Sequence, residues 1–431
     1  MEVKPGYKLT EVGVIPEDWE TTPLGDIFAF KNGLNKSKEY FGHGSPIINY
    51  MDIYTKSGLN TSDLVGRVLL TKQEIDLFRV AKGDVFFTRT SETVDEIGLT
   101  AVLLNDSQDT VFSGFVLRAR PINNSLTDNF KKYCFSSSTV RKQIVKKSTY
   151  TTRALTNGKH LSSVILPLPP LPEQHAIATT LSDVDSLISS LDALISKKKQ
   201  IKQGAMQELL SGKRRLPGFS GEWEVKRLGE FGSTYGGLTG KTKSDFGSGK
   251  AFYITFMNIM SNVIINASEF DMVKIGSNEK QNRVLDNDIF FNGSSETPEE
   301  VGLCAVLQTK VENVYLNSFC FGYRLHINES ADGLFLAYHF RSNVGRELLK
   351  SLAQGATRYN LSKKALLKVA FPLPPLPEQQ AIAAILSDMD AEITTLESRK
   401  NKTKLLKQGM MQELLTGRIR LIPPAAHAVS A

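Results

Sequence analysis

Pro167-Leu-Pro-Pro-Leu-Pro-Glu-Gln174 recurs, residue for residue, as Pro372-Leu-Pro-Pro-Leu-Pro-Glu-Gln379, 205 positions later. The offset holds without a gap through Gln207-Glu-Leu-Leu210 and Gln412-Glu-Leu-Leu415. Upstream, Thr152-Arg153 matches Thr357-Arg358, and Phe130, Tyr133, Phe135 and Arg141 match Phe335, Tyr338, Phe340 and Arg346. Further toward the N-terminus the offset is 204: Trp19 with Trp223, Leu24-Gly25 with Leu228-Gly229, Arg79-Val80 with Arg283-Val284, Asp84 with Asp288, and Ser91-Glu-Thr93 with Ser295-Glu-Thr297. The 431 residues are therefore two tandem copies of one unit, and a period this long excludes a solenoid. A duplicated unit predicts a pseudo-twofold object. Arg420-Leu421-Ile422-Pro423 restarts the phrase that Arg215-Leu216-Pro217 opens after the first copy, so the two ends of the chain are expected to lie close together.

After each proline run the pattern turns helical. Pro172 and Pro377 suit a first helical turn, and Glu173 and Glu378 suit its positive end. Ile177, Leu181, Val184, Ile188, Leu191 and Ile195 alternate spacings of four and three, as do Ile382, Leu386, Met389, Ile393 and Leu396, which predicts a pairing seam of coiled-coil type. Gly212 and Gly417 are the expected stops, and a helix from Glu173 to Ser211 would be about 58 Å long. Acidic residues come early in each helix (Asp183, Asp185, Asp192; Asp388, Asp390, Glu392). Basic ones come late (Lys197, Lys198, Lys199, Lys202; Arg399, Lys400, Lys402, Lys404, Lys407). Two readings stand: the charges solvate each helix and complement its dipole, or the helices pair antiparallel and each acidic end meets a basic one.

The remaining sequence reads as mixed α/β. Residues 84–88 and 288–292 predict short buried strands, 99–104 and 303–307 the next ones, and Phe130–Lys147 and Leu334–Leu352 carry helical periodicity. Residues 54–78 and 260–282 barely match. The boundaries read from these signals are 1–166 (globular), 167–216 (proline-led helix), 217–371 (globular), 372–418 (second proline-led helix) and 419–431 (tail).

Composition narrows the function. The hydrophobic fraction of 41% supports ordinary cores, and no apolar run approaches the ~18–20 residues of a membrane span. The start, MEVKPGYKLTEVG, lacks the apolar core of a secretory signal. Three cysteines without a CxxC argue against a disulfide framework or a structural zinc site and fit a reducing cytoplasm; no metal site is expected. The net charge of +7 permits nucleic acid as a partner. No Asn/Asp-Pro-Pro-aromatic or Pro-Cys methyltransferase segment is present, nor a nuclease carboxylate–lysine set. Gly240-Lys241-Thr242 lacks the glycine five residues earlier that a phosphate loop needs, since that position is Tyr235, and Gly33–Lys38 lacks the triplet altogether. Cys134 and Cys304 have no nearby base and read as packed residues.

The twin Pro-Leu-Pro-Pro-Leu-Pro-Glu-Gln segments, each entering a long helix that ends in Gln-Glu-Leu-Leu-x-Gly, resemble the specificity (S) subunit of type I restriction–modification enzymes. The opening Gly13-Val-Ile-Pro-Glu-Asp-Trp19 and Gly221-Glu-Trp223 add to the resemblance, which covers essentially the whole chain. It implies two target recognition domains, each reading one half of a bipartite double-stranded DNA site, joined by two long antiparallel helices. These act as a spacer and as a docking surface for two methyltransferase (M) subunits. Restriction (R) subunits join through that complex in host defence. S-adenosylmethionine, ATP and magnesium then belong to M and R, no cofactor belongs to this chain, and it catalyses nothing alone. A rigid helix pair would fix the gap between the half-sites.

Candidate DNA contacts follow from side-chain chemistry: Arg and Lys hold phosphates or read guanine, Asn reads adenine, and Ser and Thr position. They are the loops with Thr88, Arg89, Ser91, Thr152 and Arg153 and their counterparts Asn292, Ser294, Ser295, Thr357, Arg358 and Tyr359. The turns with Lys31, Lys36 and Lys38 and with Lys241 and Lys243 join them. Arg153 and Arg358 read equally as holders of the domain–helix junction. Asp84 and Asp288 read as turn caps. The rival from another class is a pseudo-symmetric coiled-coil assembly scaffold without sequence-specific DNA binding of its own.

Overall fold

In the computed structural model residues 3–326 and 331–423 are described, so residues 424–431 of the tail lie outside them. The long helices are Leu171–Leu209 and Leu376–Leu414, 39 residues and about 58 Å each at ~1.5 Å per residue. Pro172 and Pro377 stand in their first turns, where a missing N–H costs nothing. Gly212 and Gly417 end them at φ of +71° and +70°. The ends lie two residues from those expected, within ordinary fraying.

The contacts gather the chain into two compact units that ignore the order of the sequence. One holds the residues up to Leu191 together with those from Arg399 onward; the other is Asp192–Ser398. Each unit therefore contains one globular part, the first half of the helix that follows it and the second half of the other helix. In the first, Asp185 meets Lys407 at 2.6 Å. In the second, Lys202 meets Asp390 at 2.5 Å, Lys198 meets Glu392 at 2.6 Å and Lys199 meets Glu397 at 2.7 Å. Arg420 meets Glu173 where Lys407 meets Asp185, and Arg215 meets Glu378 where Lys202 meets Asp390, so the segments inside each unit run antiparallel, and these charges pair rather than only solvate. The seam is more divided than its spacing implies. Ile177 and Leu181 pack into the first globular core with Leu414 and Leu415, and Ile382 and Leu386 into the second with Leu209 and Leu210. Leu191, Ile195 and Ile393 are buried, whereas Val184, Ile188, Met389 and Leu396 are half-buried.

Each globular part is built on two main sheets, with shorter two- and three-stranded ladders beside them. In the first unit the larger sheet has strand order Phe28–Asn32, Val116–Pro121, Val85–Thr88, Thr100–Leu103, Gly58–Leu59. In the second it is Gly232–Gly236, Cys320–Leu325, Ile289–Asn292, Cys304–Val306, with the fifth strand reduced to a single bridge, Ile264 to Val306. Val85–Thr88 and Ile289–Asn292 are buried throughout because both faces are covered. Val85 and Phe87 face the core shared with the long helix while Phe86 faces a second core; Ile289, Phe291 and Phe290 repeat this. The smaller sheet in each unit centres on a long strand, Phe41–Ile48 or Phe246–Ile254. Each periodic stretch expected after it is two helices, not one: Asp128–Cys134 and Ser138–Lys147, then Gly333–Arg341 and Asn343–Ser351. Ser137 and Ser342 cap the second helix of each pair, accepting from Val140 and Gly345 N–H, which breaks the run without disturbing its apolar period.

Candidate nucleic-acid interface

The proline-led motif is an anchor for the helix. Glu173 is buried at its start and accepts the Trp19 indole N–H at 2.8 Å and the Arg420 guanidinium at 2.6 and 2.7 Å. Arg420 also grips Asp18 at 2.8 and 2.9 Å, so burial works against its charge but these carboxylates more than offset it. In the second unit Glu378 takes Trp223 at 3.2 Å and both arms of Arg215 at 2.6 Å. A buried carboxylate needs such partners. Gln174 accepts from Thr127 N–H and donates to the Ser125 and Pro169 carbonyls; Gln379 accepts from Asp332 N–H and donates to the Pro374 carbonyl. Tyr7 Oη donates to the Gly417 carbonyl at 2.9 Å, so the two ends of the described chain do meet, inside the first unit. The sequence carried the signal, since Arg215 and Arg420 recur at the offset of Glu173 and Glu378, but the pairing spans 163 and 247 residues.

A second set of matched contacts sets the sheets. Asp84 caps Ala81 N–H and holds Arg120 with both oxygens; Asp288 caps Leu285 N–H and holds Arg324 likewise. Arg141 donates to the carbonyls of Asp95, Ile97 and Gly98, and Arg346 to those of Glu299 and Val301, pinning the loops before Thr100–Leu103 and Cys304–Val306. Tyr133 donates to Asp185 and Tyr338 to Asp390, each at 2.8 Å, and burial raises both phenols well above their ordinary range.

On this frame the expected loops do come together. Thr90–Ser91 pairs antiparallel with Ala154–Leu155, and Ser294–Ser295 with Tyr359–Asn360. Their side chains are not equally presented. Thr88 is buried, accepting from Leu99 N–H and donating to Glu96 O; Asn292 is buried, donating to Glu300 O and accepting from Ser294 N–H. Ser91 and Ser295 are buried too, on Thr93 N–H and the Glu300 carboxylate. These four satisfy the backbone and side chains of their own loops, as polar groups at the end of a buried strand must, and as placed they offer DNA nothing. Lys36 bridges to Glu74 at 2.9 Å and to Leu69 O; Lys241 bridges to Glu279 at 2.5 Å and to Lys274 O. Both are struts, and they reveal an equivalence inside the two stretches that barely match in sequence. Lys31 donates to Leu77 O and lies over the Phe78 ring; burial and the nearby Arg118 and Arg120 lower its pKa. Arg89, Ser294 and Tyr359 are half-buried. Lys38, Thr152 and Arg153 in the first unit and Lys243, Thr357 and Arg358 in the second are exposed. Arg153 lies 3.6 Å from Glu92, both well exposed, a pair of little energetic weight. The junction role that Arg153 and Arg358 could have filled belongs to Arg420 and Arg215.

The structure adds side chains that the sequence reading passed over. Phe115 and Phe319 stand 204 positions apart in matched turns and are 65% and 61% exposed. In the first unit a cleft of about 340 Å³ is lined by Tyr50, Met51, Tyr54, Phe115, Glu96 and Arg153, with the Tyr50 and Tyr54 rings stacked at 6.0 Å. In the second, Phe319 divides two clefts of about 530 and 360 Å³. Ser294, Arg358 and Lys363 line one; Lys241, Lys243 and Phe256 line the other. The three cysteines are buried, and burial pushes the thiols of Cys304 and Cys320 up to about 11 and 12. Among the described residues no group of three or more His, Cys, Asp or Glu could hold a metal, and no described helix is long and apolar enough to cross a membrane.

Comparison with known proteins accords with this architecture. The family described as "Type I restriction modification DNA specificity domain" matches residues 16–203 and again 220–406. A Methanocaldococcus jannaschii protein described as the specificity subunit of the type I restriction enzyme MjaX is 28% identical, with 96% of this chain and 97% of that one covered. The MjaVIII specificity subunit of the same organism is 24% identical over 94% of each. The crystal structure of the type I restriction–modification S subunit from M. genitalium shares the fold, with a TM-score of 0.53, 15% identity and coverage of 96% of this chain and 98% of that one.

Proposed function

Because the chain belongs to the type I restriction–modification DNA specificity family and carries its domain twice, we propose that it reads a bipartite, non-palindromic DNA site, one half per unit. As a specificity subunit it catalyses nothing alone; methylation and cleavage reside on the M and R subunits with which such subunits act. The observation that carries the reading is the duplicated frame with divergent surfaces. The anchors at Glu173 and Glu378 and the struts at Lys36 and Lys241 repeat. The clefts around Phe115 and Phe319 have different linings, and two unlike half-sites require two unlike reading surfaces on one frame.

The exposed candidates Lys38, Thr152, Arg153, Lys243, Thr357 and Arg358 supply phosphate and base contacts. Two continuous helices of about 58 Å set the gap between the half-sites. Two M subunits dock on the helices, one on each unit, where Leu194 and Ile201 stand exposed seven residues apart in the second unit and Leu187, Leu405 and Leu406 stand exposed in the first. The complex works in the cytoplasm, where the DNA is. Mapping methylated adenines across the genome with and without this chain, beside a native mass of the complex, tests the reading. The expected result is a two-part asymmetric motif lost without the chain, and two M per chain. A perfect palindrome, or methylation indifferent to the chain, would overturn it.

A further inference from the structure

We propose that Phe115 and Phe319 are a matched pair of apolar wedges, each pressed against the base step of its own half-site, that secure the duplex without reading its sequence. The inference rests on the DNA-reading function above and adds residues and a task to it.

Presentation is the first argument. Each phenylalanine closes the three-residue turn between the last strand of the small sheet and a central strand of the large one, Val111–Phe112 to Val116–Pro121 and Val314–Leu316 to Cys320–Leu325. The backbone there is held from both sides. Arg89 N–H donates to the Phe115 carbonyl and Gly293 N–H to that of Phe319; Ser113 N–H donates to Ile48 O and Asn317 N–H to Ile254 O. A Cβ at Gly33 or Gly237 would come within 2.0 or 1.9 Å of the Ser113 or Asn317 carbonyl, so the neighbouring turn is seated against this one. A turn fixed this firmly could have tucked a large ring into either adjoining core. It holds the ring out instead, in both units.

Surroundings are the second. No Asp or Glu lines either cleft beside Phe319, while Lys243, Arg358 and Lys363 do. An apolar ring beside cations suits a polyanion whose base steps offer flat apolar faces once a wedge partly unstacks them, which describes duplex DNA and not an apolar protein groove. Around Phe115 cationic charge is weaker: the first unit places Arg153 beside Glu92 and Glu96, and supplies instead the stacked pair Tyr50 and Tyr54, with Tyr54 tied to Glu96 at 2.9 Å.

Identity is the third. The cleft linings differ between the units, but the phenylalanine does not. A side chain shared by two readers of unlike sequences must touch what all sequences share, and every base presents a π-face. Its contribution is affinity, not specificity.

The test uses the full chain in complex with its M subunits and a duplex carrying the mapped site, comparing Phe319→Ala, Phe319→Leu and Phe115→Ala with the parent. The expected result is binding about tenfold weaker for each alanine variant. The leucine variant should lie between, with an unchanged methylation motif and an unchanged complement of M. Fluorescence of 2-aminopurine placed at successive half-site steps should fall back toward the free-duplex value only in the half served by the altered unit. Parent-like affinity in the alanine variants overturns the proposal, and so does an altered motif, which would make the ring a base reader. Loss of M from the purified complex overturns it as well, by assigning the ring to a protein interface. If the parent complex itself shows no site-specific binding, the DNA-reading function has failed, not the wedge alone.

Discussion

Around Phe115 the first unit gathers tyrosines, one arginine and the carboxylates of Glu92 and Glu96; around Phe319 the second gathers cations and no carboxylate. Beneath these surfaces the units repeat the same joints. Asp84 with Arg120 matches Asp288 with Arg324, Tyr133 with Asp185 and Lys407 matches Tyr338 with Asp390 and Lys202, and Glu173 matches Glu378. The difference separates what holds a unit together from what it meets. A duplicated gene can change a surface side chain at little cost, whereas a buried ion pair must change at both ends or not at all.

The largest effect is expected at the anchors. Arg420→Ala leaves Glu173 buried with the indole alone, and an orphaned buried carboxylate costs about 3 kcal/mol or more. It should lower the unfolding transition of the first unit although the residue lies at the far end of the chain. Arg215→Ala should lower that of the second unit instead. Hydrogen exchange resolved by peptide distinguishes them; protection lost in the same unit for both variants would break the correspondence.

Next comes acid. His339 occupies the position of Cys134 in the first unit, buried against the rings of Phe335, Phe340 and Phe371. Burial holds its pKa down to about 4 against an ordinary 6.5. A histidine kept neutral by folding favours the native state above its unfolded pKa and loses that contribution as pH falls toward the folded one. The second unit should therefore weaken between pH 6.5 and 4, by about 2 kcal/mol at pH 5. The first has no counterpart, and His339→Cys should remove the difference. Equal acid sensitivity of the two units in denaturant titrations at pH 7 and 5 would contradict this.

The smallest effect concerns salt. Arg358→Ala should reduce the slope of log affinity against log salt by about 1. Arg153→Ala should do less, because Glu92 already engages that cation. Lys241→Ala should leave the slope unchanged, because Lys241 is a strut. A slope that drops most for Lys241→Ala would return it to the DNA surface.

Much was legible from one repeated octapeptide. The two-copy architecture, both long helices to within two residues of each end, the strands Val85–Thr88 and Ile289–Asn292, and the resemblance that the comparisons bear out all lie in local patterns, where burial imposes a period of two or 3.6 over a few neighbours. The helix run broken at Ser137 and Ser342 escaped because a capping serine does not disturb that period.

What only the tertiary structure decided is which polar and aromatic side chains face outward. Thr88 and Asn292 look like loop contacts and are internal braces; Lys36 and Lys241 look like phosphate ligands and are struts to Glu74 and Glu279, 38 residues away. Arg420 looks like a tail residue and closes the first unit from 247 residues away. Phe115 and Phe319 carry no signal in the local pattern and stand in solvent. A charge or a ring is committed by whichever partner the completed chain brings within about 3–4 Å, and that partner is set by packing across tens to hundreds of residues, beyond the reach of any local period.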